Sequence, residues 1–297
     1  MKILITGASG LIGTALKARL KDSGHKVFSL TRRKSHRPEE IYWDPVAGIL
    51  DKQKVENFDA VINLAGASIS KPWTRKHVEQ MYASRISATK LLVNSLKDQR
   101  IPPKAFISGS GAGYYGESGD KPVTEADAAG NGTLANLCEL WEAEANKASA
   151  FTRVVNLRTG LVFSNKGGVL SPILPGIKLG VATYFGSGDN WWPWVTLEDE
   201  IRAIEFLLKA PVSGPVNVVA PQETTMQGSI KELSKEYKTK FTVRVPEDLL
   251  KKTLGNFADE LVMGSQRVRP QKLEEAGFQF LYPKLEDAIY NLKLGAY

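Results

Sequence analysis

The chain is 297 residues long, enough for one large domain or two small ones, and its 42% apolar residues are ample for a core. A net charge of +7, from 39 basic and 32 acidic residues, comes without a long basic run. It points to attraction of small anions and not to a nucleic-acid surface. One cysteine, Cys138, excludes an internal disulfide, and three scattered histidines, His25, His36 and His77, give no metal-ligand spacing, so no metal is expected. No run of 18 apolar residues reads as a membrane span, and glycine breaks the first apolar run too early for a signal peptide, so a cytoplasmic location is expected.

In chain order, Lys2-Ile3-Leu4-Ile5-Thr6 reads as a buried strand, Gly7-Ala8-Ser9-Gly10-Leu11-Ile12-Gly13 as a glycine turn, and Thr14 to Leu20 as a helix. Gly7 permits the tight turn, Gly10 lets backbone approach a pyrophosphate, and Gly13 lets the helix pack close to the strand. The leading N–H groups of the helix then face the anion. Further strands are expected at 26–30, 41–43, 60–63, 104–108, 152–157 and 215–219, with helices at 78–96, 134–147 and 198–208. Strand–helix alternation of this kind implies a doubly wound α/β fold on a parallel sheet. The rhythm changes at 167–194, rich in Gly, Pro and aromatics, and again from Pro221. The expected division is therefore a Rossmann-type domain over 1–165 and 195–220, and a small α+β substrate lobe over 166–194 and 221–297, placed at the carboxyl ends of the strands.

Thr31-Arg32-Arg33 closes the second strand, about 20 residues past the glycines. Arginine there accommodates a 2′-phosphate, so NADP(H) is the expected cofactor. Small residues at Leu64-Ala65-Gly66 would let backbone lie against the cofactor. Arg85, on the next helix, would reach a phosphate or ribose, or else is a surface charge.

Thr6-Gly7-x-x-Gly10-x-x-Gly13, Asn63-Leu64-Ala65-Gly66, Ser84-Arg85 with Thr89, Ser110 with Gly113-Tyr114-Tyr115-Gly116, and Trp141-Glu142 follow one another in order. Leu157-Arg158-Thr159-Gly160-Leu161-Val162, Gly167-Gly168, Gly186-x-Gly188 before Trp194, Gly214-Pro215-x-Asn217 with Ala220-Pro221, Arg267-Val268-x-Pro270, and Gly277-Phe278 complete the set. Together they resemble the extended short-chain dehydrogenase/reductase superfamily, and within it the atypical branch described as nucleoside-diphosphate-sugar epimerases with an additional C-terminal segment. The resemblance implies a Rossmann core, bound NADP(H) and a small polar substrate, a nucleotide sugar or a carbonyl compound. With it, the expected cofactor-binding set is Gly7, Ser9, Gly10, Leu11, Ile12, Gly13, Thr31, Arg32, Arg33, Leu64, Ala65, Gly66, Arg85 and Leu161.

The chain departs from the family's pattern at one place. Typical members carry Tyr-x-x-x-Lys on the helix after the fifth strand; aligned by Glu142, those positions are Leu134 and Cys138 here. Cys138 reads as a packed residue. Ser110, Tyr114 and Tyr115 are left as catalytic candidates, with the Tyr pair read equally as packed beneath the second lobe. Lys166, Trp192 and Trp194, with Asn165 and Trp191 nearby, are expected at the pocket mouth as substrate-binding residues. The reaction expected is carbonyl reduction, for which a Tyr needs only to donate a hydrogen bond. A non-enzymatic NADP(H)-binding sensor or scaffold is the alternative, and RNA binding ranks last. No membrane or nucleic-acid partner is expected, and the chain is read as a monomer or homodimer.

Overall fold

A computed structural model describes residues 1–254 and 257–297. Eight strands form one sheet: β1 (Lys2–Thr6), β2 (Lys26–Thr31), β3 (Glu40–Asp44), β4 (Ile49–Leu50), β5 (Ala60–Asn63), β6 (Ala105–Gly111), β7 (Arg153–Thr159) and β8 (Gly214–Val218). Their order is β8-β7-β6-β5-β1-β2-β3-β4. β1 pairs parallel with β2 and β5, β2 with β3, and β5 with β6, while β4 closes the edge antiparallel to β3. The fold is a Rossmann-like α/β architecture, as expected. Residues 3–6 of β1 are wholly buried, which is why the strand is a continuous apolar run with no alternation.

The helices α1 (Leu11–Asp22), α2 (Arg75–Lys97), α3 (Thr133–Asn146) and α4 (Leu197–Lys209) match the expected segments; α1, α2 and α4 run slightly past their apolar patterns, and α3 begins one residue earlier and ends one residue earlier. α2 starts where the Thr74 side chain accepts from His77 N at 3.2 Å, satisfying one orphan N–H of the first turn. Leu4, Val61, Phe106 and Val154 of the strands pack with Ala88, Leu92 and Leu96 of α2 in one buried cluster.

The described residues form two compact units: Met1–Ser110, Leu137–Leu157 and Ile201–Val216 in one, and Gly111–Asn136, Arg158–Glu200 and Asn217–Tyr297 in the other. The expected division had placed 111–136, 158–165, 195–200 and 217–220 with the Rossmann domain. The chain does not pass straight from β6 to α3. It makes a 3-10 turn over Ala112–Tyr115, and Ala112, Tyr115, Val123, Val219 and Val268 form the second unit's own apolar cluster. That unit also holds a three-stranded sheet (Gly167–Gly168, Leu161–Ser164, Trp194–Thr196), a parallel pair (Val181–Phe185 with Phe241–Val245), and the helices α5 (Met226–Tyr237), α6 (Glu247–Leu254) and α7 (Leu285–Lys293). No helix among the described residues is long and apolar enough to cross a membrane.

Candidate functional site

The chain runs outward from β1 through β2 and β3, then returns to place β5 on the other side of β1. Ligands of open α/β sheets sit at such a switch point, beside the loops that leave the strand ends. Here those loops are the glycine turn after β1 and Leu64-Ala65-Gly66 after β5. Gly7 has φ +69°, and a Cβ on it would stand 2.5 Å from the Leu64 carbonyl oxygen. A Cβ at residue 13 would stand 2.2 Å from the Gly7 carbonyl oxygen. Only glycine closes the turn this tightly.

Gly10 is the N-cap of α1; it offers no side-chain cap, and the first turn holds no acidic residue. Among the described residues the leading N–H groups of α1 therefore meet no side-chain cap and no acidic residue of their own turn, as a pyrophosphate site requires. Ser9 and Gly10 are exposed, Leu11 and Ile12 half-buried, and Gly13 buried beneath them. At the end of β2, Thr31 Oγ1 accepts from Arg33 N at 3.2 Å. Arg32 and Arg33 are exposed, and no ion pair holds either among the described residues.

A buried polar chain fixes the strand ends that carry these loops. Thr6 Oγ1 donates to Asn63 Oδ1 at 2.8 Å and accepts from Ala65 N at 3.0 Å. Asn63 Nδ2 donates to Thr89 Oγ1 at 2.8 Å and to Ser108 Oγ at 3.3 Å, and Trp141 Nε1 donates to Thr89 Oγ1 at 2.9 Å. Asn63→Ala removes three of these bonds and leaves Thr6 Oγ1, Thr89 Oγ1 and Ser108 Oγ each one partner short in the interior. It is expected to cost about 2–4 kcal/mol in urea denaturation, each stranded polar group carrying roughly 1–3.

Arg85 lies against the loop after β5, where a Cβ on Gly66 would stand 2.7 Å from its guanidinium carbon. Its Nη1 donates to the Ala67 and Met81 carbonyls at 3.0 and 3.2 Å, and its guanidinium lies 5.1 Å from the Trp141 ring. It braces the loop after β5 from below, and burial holds its pKa below the usual guanidinium range.

Ser110 Oγ donates to Glu142 Oε1 at 2.7 Å, joining the end of β6 to a carboxylate of α3 that is 6% exposed. The Tyr pair belongs to a second buried network. Tyr115 OH donates to Asn217 Oδ1 at 2.7 Å and accepts from Arg158 Nη1 at 3.0 Å. Burial pushes its pKa up to about 12. Both partners of the Tyr115 hydroxyl lie inside the protein, and the residue is 3% exposed, which fits the packed reading of the Tyr pair. The Arg158 guanidinium lies 3.4 Å from the centroid of the Tyr114 ring and clamps it, while the Tyr114 hydroxyl has no protein partner among the described residues. Asn217 N also donates to Glu125 Oε1 at 2.9 Å, and burial raises the Glu125 pKa.

The second unit contains a cavity of about 480 Å³, within the roughly 300–1,000 Å³ of ligand pockets. Leu134 is in its wall, next to Gly116, Glu117, Asn131, Asn190 and Glu260. Glu260 accepts from Thr133 N and Leu134 N, both at 2.9 Å, and so caps α3 from 127 residues away. Of these lining residues only Leu134 and Gly116 stood out in the sequence, because long-range contacts bring the others together.

Trp192 and Trp194 of the aromatic stretch do not line this cavity. Trp194 is 1% exposed, with Nε1 donating to the Gln222 carbonyl at 2.8 Å, and Trp192 is buried beside Phe163. Both border a cleft of about 10 Å³, the room of a single water. Lys166 is exposed on the turn after Leu161–Ser164. Leu161, expected at the cofactor, opens that strand half-buried, its N donating to the Pro193 carbonyl at 2.7 Å.

The model of the NAD dependent epimerase/dehydratase family matches residues 3–220, and a domain of unknown function, DUF1731, matches 245–292. Epimerase family protein MT2273 of Mycobacterium tuberculosis is 36% identical over 290 residues, covering 97% of this chain and 96% of its own length. Epimerase family protein YfhF of Bacillus subtilis is 34% identical over 298 residues, covering 98% of each. The crystal structure of human epimerase family protein SDR39U1 with NADPH superposes with a TM-score of 0.88 at 28% identity, over 98% of this chain and 99% of that one.

Proposed function

Because the chain belongs to the NAD dependent epimerase/dehydratase family, we propose that it is an NADP(H)-binding, epimerase-like reductase of a small polar carbonyl substrate. The observation that carries the cofactor assignment is the switch-point turn, whose glycines leave an uncapped helix start, followed at the end of β2 by two arginines without ion pairs. The human relative crystallised with NADPH supports it. The first turn of α1 would hold the pyrophosphate, Arg32 or Arg33 the 2′-phosphate, and the loop after β5 the adjoining backbone face.

The bound cofactor supplies the hydride; the protein must bind and polarise the substrate oxygen. Tyr115 is spent on Asn217 and Arg158, which leaves Tyr114 and Ser110 for that task. Tyr114 brings a free phenol on a ring that Arg158 holds in place. Ser110 brings a hydroxyl oriented by Glu142. Donation to an oxygen that becomes negative needs no lowered pKa, so reduction suits this set better than oxidation of an alcohol.

The second reading, an NADP(H)-binding protein without turnover, draws on α3, which contains neither Tyr nor Lys. NADPH oxidation with a panel of carbonyl compounds and sugars separates the two. Slow turnover is expected, reduced about tenfold or more in Ser110→Ala or Tyr114→Phe, the scale of a lost donor, and unchanged in Cys138→Ala. Bound NADPH with no turnover on any member of the panel would establish the second reading.

A further inference from the structure

The strand Phe241–Val245 is the edge of its sheet. It pairs in parallel with Val181–Phe185, and among the described residues no further strand joins the two. Phe241 N donates to the Gly180 carbonyl at 3.1 Å, and the Val245 carbonyl accepts from Gly186 N at 3.0 Å. In a ladder of this register, residues 241, 243 and 245 turn their N–H and C=O groups to the partner strand. Thr242 and Arg244, between them, turn theirs to the open edge. The edge so presents two donors and two acceptors, and Pro246 ends the row because it has no N–H.

The side chains of the same strand are a separate observation. Ala182 is 0% exposed, so the face that it shares in register with Thr242 is the covered one. Phe241 and Val243 lie on the opposite face, in register with Val181 and Thr183, and are 66% and 47% exposed. An open edge with an apolar face is a template for pairing with another chain, which native sheets blunt or cover. The flanks of the strand carry opposite charge. Lys238 and Lys240 precede it, Glu247 and Asp248 follow it, and all four are exposed.

We propose that this edge is a dimer interface, completed by a second copy of the chain through antiparallel pairing of Phe241–Val245 about a twofold axis at Val243. The step is independent of the reductase reading. In that register Thr242 of each copy stands opposite Arg244 of the other. Both residues face the edge, so each such pair exchanges two hydrogen bonds, four in all. Val243 meets its own copy in a non-hydrogen-bonded pair, where side chains come closest, and Phe241 meets Val245, so the outer face gains an apolar seam. Antiparallel order sets the lysines of each copy beside the acidic flank of the other; parallel order would set like charge against like. Register, apolar seam and charge are all self-complementary, as a twofold interface requires. The occupant they specify is a second copy of this chain.

Analytical ultracentrifugation of the full chain tests this, with every variant checked for folding by circular dichroism. The natural protein is expected to be at least half dimeric at about 100 μM, a modest affinity suited to a small interface, and to dissociate further as salt is raised. Thr242→Pro removes an N–H that bonds nothing within its own sheet. It should weaken the dimer about tenfold or more, since two of the four bonds are lost. Thr242→Ala keeps that N–H and should dimerise like the natural protein. Val243→Lys sets like charges face to face on the axis and should weaken the dimer about tenfold or more. Val243→Cys, oxidised with diamide, should form a covalent dimer, because residues opposed in a non-hydrogen-bonded pair have Cα atoms about 4.5 Å apart, within disulfide reach. The natural Cys138 is buried, so the unsubstituted chain gives the background. A chain that stays monomeric at about 100 μM, a dimer that both Thr242→Pro and Val243→Lys leave intact, or no cross-linking of Val243→Cys would each overturn the proposal.

Discussion

Gly13→Ala is expected to lower NADPH affinity by about 100-fold or more, close to 3 kcal/mol, and to destabilise the fold. The added methyl would sit 2.2 Å from the Gly7 carbonyl oxygen and 2.9 Å from the Ala8 Cα. Both are backbone, so no side chain can swing aside. Gly7 cannot retreat, because its own Cα faces the loop after β5 with no room for a Cβ and its φ is +69°. The turn must open, and the N–H groups that would receive the pyrophosphate leave their positions. Alanine's helix propensity returns about 1 kcal/mol at most, less than the roughly 1–3 kcal/mol of overpacking. Calorimetric titration with NADPH and a thermal melt check both parts. Unchanged affinity would mean that the turn does not hold the cofactor.

Glu200 is expected to make stability strongly dependent on pH. It lies in the first turn of α4 and is 0% exposed. Its Oε1 accepts from Thr159 Oγ1 at 2.8 Å, and its Oε2 has no partner. Burial pushes its pKa up to about 8, against the weaker opposing effect of the Thr159 bond. The folded state therefore holds a proton that the unfolded state releases near the ordinary glutamate value. Its contribution is fully present below about pH 4.5, is lost as pH rises through the window to about 8, and stays lost above it. At about 1.4 kcal/mol per unit, the loss across the window is a few kcal/mol. Glu200→Gln removes the titration while keeping an acceptor for Thr159. Urea midpoints from pH 5 to 8.5 should show the variant gaining steadily on the natural protein as pH rises. Parallel curves would contradict the assignment.

The parts of the fold that short-range pattern dictates were legible in the sequence. β1 and β5 are unbroken apolar runs because both of their faces are covered, and the glycine turn announces itself because no other residue fits it. Arg32 and Arg33 could be placed because the distance from turn to strand end is set by one helix and one strand. What the sequence concealed is side-chain partnership. Nothing near Glu260 marks it as the cap of a helix that begins at Thr133. Arg158 stood in a motif with no sign that it would bind Tyr115 and clamp Tyr114, and so separate two tyrosines that adjoin in sequence into a structural and a free hydroxyl. Arg85 read as a helix surface charge or a ribose ligand, because its cover, Trp141, comes from another helix. Trp192 and Trp194 show that aromatic density alone does not distinguish a core from a pocket mouth.

NADP(H) is expected to be held by the switch-point turn, with Arg32 or Arg33 on the 2′-phosphate. The direct measurement is a paired calorimetric titration of NADPH and NADH on the natural protein and on Arg32→Ala plus Arg33→Ala. Both guanidiniums are exposed, so the substitutions should leave the fold intact. NADPH is expected to bind at least about tenfold more tightly than NADH, with the preference abolished in the double variant, the scale of one charge-assisted phosphate contact. Equal affinity for the two cofactors in the natural protein, or a preference that survives the double substitution, would contradict it.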